Sequence, residues 1–206
     1  MNKISKISVG ALVAGLIVAQ YLNTSLANDN FNIALRKLYL NEGGYTFVKN
    51  DSGGETYRGI SRKNWPKWAG WQYVDRAKPL KQEQVIKGNA SLDNEVANFY
   101  KINFWFANHL DKIKSTIVSV KVLDMTVNMG SSRGTKLLQQ ALKVCHCNLL
   151  QDGVLGPHTY NSVNSCNEDK LHKALINVSV EFYQGLVVKN HKLKKFLNNW
   201  LERARQ

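Results

Sequence analysis

Apolar residues return at helical intervals along almost the whole chain, and only one stretch cannot be helix. Phe31, Ala34, Leu35 and Leu38 stand at i, i+3, i+4 and i+7, so residues from about Asn30 to Leu40 form a helix with one buried face. Asp29 and Asn30 can cap its start. The pattern resumes after residue 60. Ser61 can cap a short helix, Leu92 to Asn103 carries another, Ile117 to Met129 a buried one, and Asp169 to Val188 a long amphipathic one. Between them lies Glu42 to Ile60, broken by Gly43, Gly44, Gly53, Gly54 and Gly59. A chain so patterned folds as mainly α, with at most a small hairpin between Tyr45 and Arg58. With three prolines in 206 residues and no Ser/Gly linker, its segments share one globular unit.

The interruption carries the chemistry. Gly43 or Gly44 can take the left-handed geometry that ends the first helix, which delivers Glu42 at a helix end. A carboxyl set among apolar and aromatic neighbours keeps its proton more firmly than one in water, the condition for a general acid. Asp51 follows in a polar loop that favours the ionised form, and Thr56 can hold a water. A proton donor and a second group that stabilises charge or positions water are what cleavage of a glycosidic bond requires. The plainer reading is a solvated Glu before a helix end and an ordinary Asp/Gly turn.

The spacing decides between them. Glu42-Gly43-Gly44-Tyr45, then Asp51, Gly53-Gly54-Glu55-Thr56 and Gly59-Ile60-Ser61 resemble the signature of the glycoside hydrolase 108 family. These are lysozyme-like N-acetylmuramidases found as phage endolysins and as bacterial secretion-associated muramidases. The resemblance implies that Glu42 is the catalytic acid and that Asp51 and Thr56 are the second and third members of a Glu/Asp/Thr arrangement. It also sets Tyr45 beside the acid and Gly54 and Glu55 on the substrate side, with Glu55 as the rival second carboxylate. The implied reaction is cleavage of the bond between N-acetylmuramic acid and N-acetylglucosamine in peptidoglycan, without a cofactor or metal. The implied fold is a lysozyme-like α+β architecture with a small hairpin lobe and a helical lobe. The family loop commonly carries prolines around the Asp, where Lys49, Asn50 and Ser52 stand here.

The second half extends the likeness. Leu123 to Gly130, Leu137 to Leu142 and Asp152 to Thr159 are similar to the peptidoglycan-binding region that follows the muramidase motif, so the resemblance spans roughly Phe31 to Val188. Read alone, Leu137, Leu138, Ala141, Leu142 and Cys145 form an apolar stripe, Asp152-Gly153 a turn, and Pro157 suits the first turn of a helix. Asp124, among apolar neighbours, reads as a buried and satisfied carboxylate. The expected organisation is a signal peptide or releasable membrane anchor over 1–27, the catalytic region over 28–115 and the helical peptidoglycan-binding region over 116–206.

The N-terminus bears on the compartment. Lys3 and Lys6 precede the apolar run Ile7 to Ala19, and Ser25 and Ala27 stand where a signal peptidase would cut before Asn28. The run is short of the roughly 20 residues of a comfortable span and rich in Gly and Ala. It therefore also resembles the signal-arrest-release anchors of some phage endolysins, which would tether residues 7–22 to the inner membrane. Either way the enzyme is expected in the periplasm or secreted, as a monomer. The net charge of +13 suits an anionic wall. Nucleic acid would attract the same charge, but the export signal and the lack of a binding motif argue against it.

The tail alternates His191, Lys192, Lys194, Lys195, Arg203 and Arg205 with Leu193, Phe196, Leu197, Trp200 and Leu201, an amphipathic basic helix whose apolar face packs on the core or meets membrane or wall. Trp65, Trp68, Trp71 and Tyr73, and Phe104 to Phe106, are expected mostly in the core. Cys145, Cys147 and Cys166 lack the paired spacing of a zinc site, and an oxidising compartment allows Cys166 to bridge to Cys145 or Cys147. Two rival functions share these features: a lytic transglycosylase acting on the same bond, and a non-catalytic basic wall-binding protein.

Overall fold

Helix packing around a buried central helix organises the molecule, and the glycine-broken stretch contributes a small sheet. The computed structural model describes residues 29–47 and 54–206. The expected leader over 1–27 and the candidate Asp51 lie outside the described residues. Residues 29–42 are helical and form α1, which buries Phe31, Ala34, Leu35 and Leu38 as the spacing predicts. Asn30 does not cap this helix. It sits within it, donates to Lys114 O at 3.3 Å and accepts from the Thr116 hydroxyl, tying α1 to the start of a later helix.

Gly43, at φ +63°, ends α1. Arg58 then supplies a cation to the helix's C-terminal end, with Nη1 3.3 Å from Tyr39 O and 3.2 Å from Gly43 O. Strands β1 (Tyr45–Thr46), β2 (Thr56–Tyr57) and β3 (Ile60–Ser61) make an antiparallel sheet in that order, with Tyr45 opposite Tyr57 and Tyr57 opposite Ile60. Ser61 closes β3 and its hydroxyl accepts from Asn64 N at 3.4 Å. The short helix expected there, α2 (Trp71–Arg76), begins ten residues later, after turns around Trp65 and Trp68.

Helix α3 (Ala90–Tyr100), capped by the Asn89 side chain, runs into a π-helical turn over Lys101–Phe106. Then come α4 (Thr116–Met129), α5 (Ser131–Ala141), α6 (Pro157–Ser165), α7 (Glu168–Lys189) and α8 (Leu197–Arg205). Ser115 caps α4 and Asn167 caps α7, each through a side-chain oxygen. Helix α4 is the centre: Val118, Val122, Leu123 and Met125 are buried, and α5 and α7 pack on it. One hydrophobic cluster runs from Phe31 to Val178. Buried Gln139 pins the Asp152-Gly153 turn, donating to Asp152 Oδ1 at 2.7 Å and accepting from Gly153 N at 3.0 Å. A disulfide joins Cys145 to Cys166, and Cys147 is a free thiol.

Candidate active site

Glu42 is the last residue of α1, and its carboxylate is 15 % exposed. Glu42 Oε1 lies 2.7 Å from Arg203 Nη2 on α8. The same guanidinium reaches Asp124 Oδ1 on α4 at 2.9 Å, and Asn41 Nδ2 donates to that oxygen at 3.0 Å. Burial works against the charge on Arg203, but Asp124 and Glu42 outweigh it and raise its pKa. The cation is thus shared, with Asp124 as its second counter-ion.

The other oxygen, Oε2, faces Gly59. A Cβ at that position would fall 2.3 Å from Glu42 Oε2 and 2.8 Å from the Tyr100 hydroxyl. Gly59 also has φ +76°, so two independent constraints require glycine beside the acid. Glu42 and Gly59 border a pocket of about 220 Å³, whose polar walls are Ser61, Asn64 and Asn128 and whose apolar walls include Phe99, Phe104 and Val127. Tyr100 also lines it, donating to Arg58 O at 2.5 Å. Burial first, and then the Glu42 charge, push its phenol pKa well up, so it remains a neutral donor.

Helix α8 is held in place by contacts that have little to do with its own sequence propensity. Trp200 stacks on Tyr183 of α7 at 5.3 Å, and the Tyr183 hydroxyl accepts from Asn128 Nδ2 at the pocket wall. Lys121, 3 % exposed on α4, donates to the carbonyls of Arg203 and Ala204 at the negative end of α8. Burial lowers Lys121 to a pKa of about 8; Asp124 opposes that shift, while Arg203 and Lys37 add to it.

The other residues expected at the site are placed elsewhere or engaged with one another. Thr56 sits on β2 with its hydroxyl against that of Thr46, and across the sheet from Ser61. It is Ser61 that borders the pocket. Glu55 is enclosed by Arg62 at 2.5 Å and Lys78 at 2.7 Å. Burial tends to raise the Glu55 carboxyl, but bonds from Lys78 and Tyr45 and the charge of Arg62 hold it below the usual carboxylate value. Tyr45 is buried, and burial followed by its bond to Glu55 raises its pKa. Tyr45, Glu55 and Gly54 do not border the Glu42 pocket. Arg203 escaped the sequence reading except as one charge of the basic tail. It stands 161 residues from Glu42, and nothing in the local pattern marks it.

Among the described residues there is no group of three or more His, Cys, Asp or Glu able to hold a metal ion, and no helix is long and apolar enough to cross a membrane. No curated protein matches the chain. Among solved structures, SagA of Brucella abortus is similar in fold, with a TM-score of 0.56 at 22% identity over 86% of this chain and 94% of that one. Residues 35–130 match the glycosyl hydrolase 108 family, and residues 133–205 match the predicted peptidoglycan domain. Glu42 and its pocket lie in the first region and Arg203 in the second, so the chain carries a glycosyl hydrolase 108 region followed by a peptidoglycan-binding region and is a glycoside hydrolase.

Proposed function

We propose that the protein is an exported N-acetylmuramidase that cleaves the bond between N-acetylmuramic acid and N-acetylglucosamine, with Glu42 as general acid. The observation that carries the reading is the Glu42 carboxylate itself: one oxygen is fixed by Arg203 and the other stands beside Gly59 at a pocket with one polar and one apolar wall. With Oε1 held by Arg203, Oε2 beside Gly59 is the oxygen that takes up a proton from solvent and hands it to the glycosidic oxygen as the bond breaks, so the leaving sugar departs as an alcohol. Holding the donor in place removes part of the entropic barrier to that transfer. The positive charge left on the sugar ring is met by the ionised carboxylate of Asp51, and a water supplies the new hydroxyl. Ser61, which borders the pocket where Thr56 does not, orients that water.

Export follows from the basic leader and the Ser25-x-Ala27 cut site. The net charge of +13 favours residence on an anionic wall. The test is digestion of purified sacculi by the wild type and by Glu42→Gln and Asp51→Asn, with product ends identified. Glu42→Gln should lose at least about 10³-fold in rate while remaining folded, read by circular dichroism below its melting range. Reducing ends mark hydrolysis; anhydro ends would assign the same acid to a lytic transglycosylase. Undiminished digestion by Glu42→Gln would defeat the proposal.

A further inference from the structure

A glycan strand does not fit in the Glu42 pocket alone. Its volume of about 220 Å³ falls below the roughly 300–1,000 Å³ typical of sites that enclose a ligand of a few rings. A polymeric substrate must continue past it, and the structure offers a continuation. Asn64, Trp65 and Phe99 border the pocket on one side and a second hollow of about 480 Å³ on the other.

Trp65 is the shared wall, and it is 40 % exposed. Its backbone is locked on both sides: the N–H donates to Ser61 O at 2.9 Å, and the carbonyl accepts from Trp68 N at 3.1 Å and from the Trp71 indole at 2.8 Å. Its ring meets Phe99 edge-on at 4.9 Å. Trp68 and Trp71, by contrast, bond their indoles inward, to Glu95 O and Trp65 O. Trp65 is therefore a rigid aromatic face presented to solvent, the arrangement that loses least entropy when an apolar ring face stacks on it.

The opposite wall is the π-helical turn over Lys101–Phe106. It places Ile102, exposed to solvent, and Asn103 on the hollow, and Phe104 on the pocket. Such turns are rare and concentrate at functional sites. The amides of Asn98 and Asn103 stand with this apolar surface, while one Lys and one Glu, Lys67 and Glu95, balance each other. In a chain of net charge +13, a hollow with no net charge does not select an anion.

We infer that this hollow is a saccharide subsite that takes an uncharged N-acetylhexosamine unit of the strand being cut, its ring stacked on Trp65 and its acetamido group met by the Asn side chains. The inference rests on the muramidase reading. It makes Trp65 and Ile102 specificity-determining residues for a glycan, outside the proton-transfer step.

The test uses the full chain. In Glu42→Gln, which cannot cut the probe, chitotetraose is titrated while the indole N–H resonances are followed by NMR; the Trp65 signal is the one missing in Trp65→Ala. That resonance should shift and saturate. In the otherwise wild-type enzyme, Trp65→Ala should raise KM for solubilised peptidoglycan about tenfold, and Trp65→Phe should recover most of the loss. Ile102→Ser, which touches only the hollow, should raise KM about threefold with kcat unchanged, and it decides the matter should Trp65→Ala not fold. A static Trp65 resonance with unaltered KM in Ile102→Ser would overturn the subsite, even with Glu42→Gln inactive and the muramidase reading intact. A shift produced by a free stem tetrapeptide and not by chitotetraose would overturn the sugar assignment in favour of a peptide site.

Discussion

Replacing Arg203 by Met tests whether α8 holds Glu42 in place or merely rests beside it. Methionine keeps the length and apolar stem of the side chain and removes the charge, leaving two carboxylates that face the same space with no cation. The three side chains are 14–15 % exposed, which places the cluster nearer to buried than to exposed ion pairs. Breaking such a pair from one side costs about 3–5 kcal/mol, whereas an exposed pair costs 0–1 kcal/mol. For a chain of this size each kcal/mol moves the thermal midpoint by roughly 2–4 °C, so the variant should melt about 10 °C lower by circular dichroism. Adding Asp124→Asn should return part of that loss, because one of the stranded carboxylates is gone; the cycle should show a coupling of about 1–3 kcal/mol. Below its melting range, Arg203→Met should digest sacculi about 10- to 100-fold more slowly, since Glu42 Oε1 is then unanchored and small misplacements of a reacting group are costly. A stability loss under about 1 kcal/mol with unaltered digestion would refute the argument.

Two other expectations follow from the same neighbourhood. Lys121 has its folded pKa depressed to about 8 from an ordinary 10.5, so above pH 8 the unfolded chain holds more protons and stability rises with pH. The gain should be about 2 kcal/mol by pH 9.5 and should be absent in Lys121→Met; above pH 10 the trend reverses, because burial holds Tyr39 and Tyr183 near pKa 12 in the fold while the unfolded tyrosines ionise. Gly59→Ala places a methyl 2.3 Å from Glu42 Oε2 in a backbone geometry unsuited to alanine, and should cut the digestion rate about 100-fold for a stability loss of about 1–3 kcal/mol, read as rate below the melting range and as the thermal midpoint. Equal digestion by Gly59→Ala would mean that Oε2 is not the reactive oxygen.

What the sequence made legible was what depends on neighbours along the chain. Periodicity located α1, α4 and α7 because each buries a continuous apolar face, and the glycines marked where α1 had to end and Glu42 had to stand. The short helix after Ser61 was misplaced because Ser61 pairs with Thr56 in the sheet, a contact across chain that a cap pattern does not register. Tyr45 and Glu55 read as substrate-facing residues, yet their polar atoms face each other and the Arg62, Lys78 and Asp75 cluster. Cys166 had two possible partners by spacing; Cys145, on the 3-10 turn after α5, is the one it joins. Arg203 was illegible for a simpler reason: its role is set by the packing of Trp200 and Lys121, neither of which is near Glu42 in sequence.

That packing bears on how the two matched regions divide the work. The family boundary falls between residues 130 and 133, in the tight joint between α4 and α5. Yet contacts that fix the Glu42 side chain cross it in both directions: Arg203 from the second region reaches Glu42 and Asp124 in the first, and Lys121 from the first holds the end of α8. A region that only gripped the wall would need no such contacts, and a catalytic region complete in itself would not leave two carboxylates facing an absent cation. The arrangement assigns the second region a share in positioning Glu42 whatever else it binds.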